Sequence, residues 1–229
     1  MTRITLKWKL LTGLALGATL ASAASDVDER LQSAASAFKE VMGIPDKSIP
    51  QDLLNKAECI VIVPDLKKGA FIVGGKYGKG FFTCRRQGGA GWSSPGAVRI
   101  EGGSVGFQIG GSEMDVFMLV MNQRGVDRLL SSKFTLGGDA TVAAGPVGRN
   151  AQAETDARMT AEILTYSKSR GLFAGVSLTG ATLREDKDWN TEMYGKPYRN
   201  RDLVTGKGTT PPKAAAALLK ELDRYSSRR

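Results

Sequence analysis

Five consecutive residues, Cys59-Ile60-Val61-Ile62-Val63, are apolar and mostly β-branched, and they follow a stretch whose apolar side chains recur at helical spacing. Branched side chains pack well on a pleated sheet and lose rotamer freedom in a helix, so the run reads as a strand. Pro64-Asp65-Leu66-Lys67-Lys68-Gly69 then reads as a turn. Residues 70–73 and 80–86 read as further strands around the glycine-rich Gly74-Gly75-Lys76-Tyr77-Gly78. Strands this close in sequence pair antiparallel, so the region is expected to form a meander.

Helices flank it. Leu31, Ala34, Ala35, Phe38 and Val41 place one apolar stripe on a helix over residues 27–42, which Pro45 ends. Ser48 and Gln51 have the spacing of a capping box and predict a short helix to Ala57. Further strands are expected over 104–109, 116–121 and 135–144, and Asn122 is placed to cap a helix to about Ser131. Residues 162–167 and 172–183 read as a hairpin turning at Lys168-Ser169-Arg170-Gly171. A helix over 186–194 is stopped by Gly195, and an amphipathic helix after Pro211-Pro212 uses Ala215, Leu218, Leu219 and Leu222. The expected fold is a single α+β domain. Its antiparallel β-rich core is a twisted or barrel-like sheet, with amphipathic helices at both ends.

The absence of histidine excludes Ser–His–Asp and Cys–His catalysis and every histidine-based metal site. The two cysteines, Cys59 and Cys84, are too few for a four-cysteine metal site. They fall on neighbouring predicted strands, where they are either a disulfide or two buried thiols. No metal, cofactor or catalytic residue is expected. Glu113 with Asp115 and the isolated Asp139 are the carboxylates considered for acid–base work, and no nucleophile–base pair stands near them. Gly74 to Gly80 fails as a phosphate loop, because Val73 and Gly80 stand where glycine and a hydroxyl are required. Asp186-Lys187-Asp188 opens like a calcium loop but continues with Thr191 and Pro197 at its glycine and glutamate positions.

Arg3, Lys7 and Lys9 precede an apolar run from Leu10 to Leu20 and the small residues Ala21-Ser22-Ala23. This is the pattern of a signal peptide over residues 1–23, leaving a domain over 24–229, exported to a periplasm or peripheral to the cell envelope. The run is too short to span a bilayer. Positive charge concentrates early: Lys67, Lys68, Lys76, Lys79, Arg85, Arg86 and Arg99 stand against Glu58 and Asp65 over residues 58–100. A local basic face attracts anionic membrane or nucleic acid, and export favours the membrane. Lys67, Lys68, Lys76, Lys79, Arg85 and Arg86 are therefore the candidate lipid contacts. Leu31 and Phe38 are candidates for shallow apolar insertion, the alternative being that their stripe packs on the sheet.

Several motifs then occur in a familiar order: Pro64-x4-Gly69 with Gly74 to Gly80, Trp92-Ser93-Ser94-Pro95, and Gly106-Phe107-Gln108-Ile109-Gly110. Leu136-Gly137-Gly138-Asp139-Ala140, Ala144-Gly145-Pro146-Val147-Gly148-Arg149, Tyr166-Ser167-x2-Arg170-Gly171-Leu172-Phe173-Ala174-Gly175 and Asn190-x3-Tyr194-Gly195 follow. The series, over about residues 30–225, resembles the SYLF domain family. The resemblance implies a phospholipid-binding module. Its eukaryotic relatives bind phosphoinositides partly through an amphipathic N-terminal helix, and a yeast relative binds actin. In an exported chain the implied partner is anionic phospholipid or a membrane surface. A protein partner is the alternative, and neither nucleic acid nor actin is expected.

Overall fold

In a computed structural model, which describes residues 25–70, 74–86, 90–104, 110–148, 160–206 and 209–226, the apolar run opens a strand much longer than itself. Strand β1 (Cys59–Ala70) passes straight through the expected turn. Pro64 and Asp65 are absorbed as a bulge: the register slips between Val63 and Leu66 against one neighbour and between Ile62 and Lys67 against the other. Asp65 takes a φ of 51°, which bends the strand without reversing it. The neighbouring strand follows the bend because a Cβ at Gly80 would lie 2.1 Å from the Ile62 carbonyl oxygen. The expected signal peptide and the strand expected over 104–109 lie outside the described residues, apart from Ser104.

Two helices, α1 (Asp26–Met42) and α2 (Gln51–Lys56), precede β1. After it come β2 (Gly74–Cys84), β3 (Gly96–Ser104), β4 (Gly110–Val120) and α3 (Gln123–Leu129). Five strands follow: β5 (Lys133–Thr135), β6 (Val142–Ala144), β7 (Ile163–Ser169), β8 (Leu172–Gly175) and β9 (Thr182–Glu185). The chain continues through α4 (Lys187–Tyr194), α5 (Asn200–Val204) and a 3-10 turn at Lys213–Ala215 that leads into α6 (Ala216–Tyr225). Among the described residues the strands form one curled sheet in the order β5-β9-β3-β2-β1-β4-β7-β6, with β8 also on β7. Every pairing is antiparallel except β6 with β7. The fold is a single α+β domain, as expected.

Local signals explain most element ends. Asn122 Oδ1 accepts from Gly125 N–H, Asp186 Oδ1 accepts from Trp189 N–H, and Gly195 stops α4 with a φ of 66°. Three expectations are corrected. Ser48 does not cap α2, whose N-cap is Pro50. The strand expected over 135–144 is the two short strands β5 and β6, interrupted where Asp139 Oδ2 accepts the Thr135 N–H and closes a turn. The long second arm of the hairpin is split, because β8 pairs with β7 whereas β9 pairs with β3 and β5.

The sheet is buried on both faces, which is why β1 begins with an unbroken apolar run. Ile60, Ile62, Phe81, Phe117, Leu119 and Tyr166 face α1, α2 and α6. Cys59, Val61, Val63, Leu66, Phe82, Val98, Ile100 and Met118 face a second core. That core is closed by Val126 and Leu129 of α3 together with Phe134, Leu136, Leu178 and Leu183. Leu31 and Phe38 are fully buried in the first core, Phe38 edge-on to Tyr225 at 6.0 Å between ring centroids. Their stripe packs on the sheet and is not presented for insertion. Each such side chain contributes about 1.5–3 kcal/mol through burial.

Candidate functional site

Strand alternation decides where the basic residues go. Lys67 pairs with Tyr77, and Lys68 with Lys76, across β1 and β2. Successive side chains on a strand point to opposite faces, so Lys67, Tyr77 and Lys79 share the helix-bearing face. Lys68 and Lys76 lie on the other face, in line with Leu66 and Gly78. The single basic face expected from composition is thus two faces.

Most of the expected cations are committed within the fold. Lys67 Nζ lies 3.8 Å from Glu113 on the surface. Lys79 Nζ lies 2.9 Å from the buried Asp186 carboxylate and 4.4 Å from the Trp189 ring centroid. Arg85 is buried over the Trp92 ring and donates to the carbonyls of Leu54 and Ala57 and to Ser226, which fastens the end of α6 to α2. Arg86 is exposed, and its Nε donates to the Trp92 carbonyl at 2.8 Å. Arg99 pairs with Glu101, which also takes Arg184. Lys68 and Lys76 remain. Among the described residues neither has a carboxylate partner, and burial, together with the adjacent Lys68 charge, holds Lys76 below the usual lysine range.

The carboxylates considered for acid–base work separate in the same way. Asp139 is exposed and spent on its turn. Glu113 and Asp115 line a cavity of about 140 Å³ with Asp65, Met114, Lys168, Ser169, Arg170 and Gly171. Asp115 accepts the Asp65 N–H at 3.1 Å, and burial, with Asp65 and Glu40 nearby, raises its pKa. Lys168, its register partner on β7, pairs with Glu40 of α1. Among the described residues no hydroxyl or thiol nucleophile is hydrogen-bonded to either carboxylate, and the cluster serves to seat α1 on the sheet.

Cys59 and Cys84 are register partners on β1 and β2 and form a disulfide on the second-core face, buried at 0% and 3% exposure. This resolves the alternative left open by the sequence.

The family description "Ysc84: Las17-binding protein actin regulator" matches residues 101–225. The chain belongs to the Ysc84 family. It is 36% identical over 210 residues to the human SH3 domain-containing YSC84-like protein 1, covering 89% of this chain and 60% of that relative. To the protein YSC84 of Saccharomyces cerevisiae it is 35% identical over 182 residues, covering 78% of this chain and 38% of the relative. An SH3 domain-containing protein of Schizosaccharomyces pombe is 39% identical over 170 residues, covering 72% and 39%. The chain therefore spans less than two thirds of the length of these relatives, and none of their names is that of an enzyme.

Several Ysc84-family motifs are architectural. Ser93 Oγ accepts the Cys84 N–H at 3.1 Å, and Thr83 Oγ1 donates to the Ser93 carbonyl, so Trp92-Ser93-Ser94 fastens the end of β2. The fully buried Asn190 accepts the Ala97 N–H at 2.8 Å and donates to Asn200 at 2.7 Å, while Tyr194 donates to the Pro95 carbonyl at 2.6 Å. Burial raises the Tyr194 hydroxyl far above the usual tyrosine range. Gly145 is required because a Cβ there would sit 2.0 Å from the Tyr166 ring. Sequence reasoning marked these positions through the resemblance without finding their purpose, since Asn190 and Tyr194 act on Ala97 and Pro95, more than ninety residues away, and the others act through pairings that only the folded sheet creates.

Proposed function

We propose that the chain is a non-enzymatic phospholipid-binding module of the cell envelope that associates reversibly with anionic headgroups. The observation that carries this reading is the cross-strand pair Lys68–Lys76, two cations held opposite one another with no carboxylate between them among the described residues. Cations at an anionic surface contribute about 1 kcal/mol each and act over about a Debye length. A few of them give weak, salt-sensitive binding. The Cys59–Cys84 disulfide supports an exported location, since disulfides persist in oxidising compartments. The test is co-sedimentation of the purified chain with phosphatidylglycerol or phosphatidylcholine vesicles across salt concentrations. Binding to the former alone, lost as salt rises, is expected. Absence of binding in dilute buffer refutes the reading.

A second reading, a structural or protein-interaction module of the envelope, is supported by the family description, which names a protein-binding actin regulator. Trp92 is buried, and Trp189 and Tyr194 are half-buried, so among the described residues the exposed aromatic surface that would favour this reading is the half-exposed Tyr77. Light scattering and pull-down without lipid test it, and a monomer that captures nothing refutes it.

A further inference from the structure

We infer that the chain docks end-on, with the end of the β3-β2-β1-β4 sheet that carries Lys68 and Lys76 against an anionic bilayer and one lipid phosphate bridging the two lysines. This rests on the lipid-binding reading above and adds where the contact is made and in what orientation.

Like charges directly opposite one another on a sheet destabilise it, and here neither lysine is relieved by an acid among the described residues. A phosphodiester between them removes the repulsion and supplies a charge-assisted hydrogen bond to each ammonium. The other cations expected to contact lipid are less available. Lys79 and Arg85 are held by buried partners, Lys67 faces Glu113, and Arg86 lies near the other end of β2.

Register places the pair at the sheet's end. Gly102, Lys76, Lys68 and Ser112 form one row across four strands, and Gly103, Gly75, Gly69 and Gly111 form a row beyond it. All four strands stop together, since Ala70 pairs with Gly74 and Gly110, and Gly74 pairs with Ser104. On the opposite face Tyr77, at 49% exposure, stands beside Lys67. Free phosphate would need only the two ammonium groups. Two unrelieved cations with an exposed tyrosine one register position away form the composition of a surface that meets an anionic bilayer.

The experiment uses vesicles of equal parts phosphatidylcholine and phosphatidylglycerol. Changing Lys68→Met together with Lys76→Met is expected to weaken partitioning by about thirtyfold, from two cations at the surface. Thermal stability is expected to be unchanged or raised, because a repulsion is lost and the alkyl stems are kept. Lys67→Met is expected to change partitioning by less than about threefold. Wild-type protein that ignores these vesicles overturns the lipid-binding reading. Wild-type protein that binds while the double variant binds equally overturns the docking inference alone.

A spin label on Ser112→Cys is expected to lose access to a water-soluble relaxant on vesicles, whereas one on the exposed Ser132→Cys, at the opposite end, keeps it. The reverse pattern overturns the orientation. Displacement of vesicles by millimolar inorganic phosphate assigns the pair to free phosphate. A lysine-dependent dimer in sedimentation without vesicles assigns it to a second copy. Either result overturns the inference.

Discussion

Replacing Phe38 with alanine separates the two roles open to the α1 stripe. The ring is fully buried against the sheet and lies edge-on to Tyr225, so its removal leaves a cavity lined by two helices and the sheet. Truncating a buried phenylalanine costs about 3–5 kcal/mol, which includes the lost aromatic pair. For a domain of this size each kcal/mol lowers the midpoint by about 2–4 °C, so the fall should be on the order of 10 °C. The assay is thermal and urea unfolding followed by tryptophan fluorescence, with exposed Gln32→Ala as a control expected to change stability by less than about 0.5 kcal/mol. Vesicle partitioning of the folded variant, measured well below its midpoint, should match wild type. A variant with near-normal stability and lost vesicle binding would refute the argument, because α1 would then leave the sheet and insert.

The other predictions concern charge and covalent structure. The disulfide closes 25 residues of sequence separation, so Cys59→Ser with Cys84→Ser should cost about 3 kcal/mol in urea unfolding on the chain-entropy estimate. Because both sulfurs are buried, alkylation read by mass should require denaturant as well as reductant. The folded carboxyl of Asp115 is raised above its unfolded value, so ionisation opposes folding, and stability from this group is lost as pH rises through the raised value. Asp115→Asn keeps the acceptor for Asp65 N–H and should therefore raise the urea midpoint at pH 7, with the gain vanishing below the ordinary carboxylate range. Lys79→Met strands the Asp186 carboxylate, which is 1% exposed, and should cost about 3 kcal/mol in the same assay while leaving vesicle binding within about threefold of wild type.

Much of the fold was legible because its signals are local. Asn122, Asp186 and Gly195 declare helix ends within three or four residues, and the β-branched run at Cys59 declares a strand. The bulge at Pro64-Asp65 was misread as a turn, since both place Pro and Asp together and only pairing with β2 and β4 distinguishes them. Strand β3 escaped notice because Gly96, Gly102 and Gly103 dilute its apolar pattern, although Val98 and Ile100 fill the second core. For the site, composition gathers the cations into one stretch of sequence but could not assign them to faces. That assignment depends on the one-residue slip at the bulge, which sets the parity of Lys67 and Lys68 relative to Val61 and Val63. Nor could sequence reveal that Lys79 and Arg85 are claimed by Asp186 and Ser226, each more than a hundred residues away.

Strand β1 is a partition common to two chambers, with Ile60 and Ile62 furnishing one and Val61 and Val63 the other. A lesion in either chamber shifts the same backbone, so neither can melt while its neighbour stays intact. Calorimetry of the chain should accordingly trace one endotherm, and damage beneath α1 should loosen amides facing α3, on the far side of the wall.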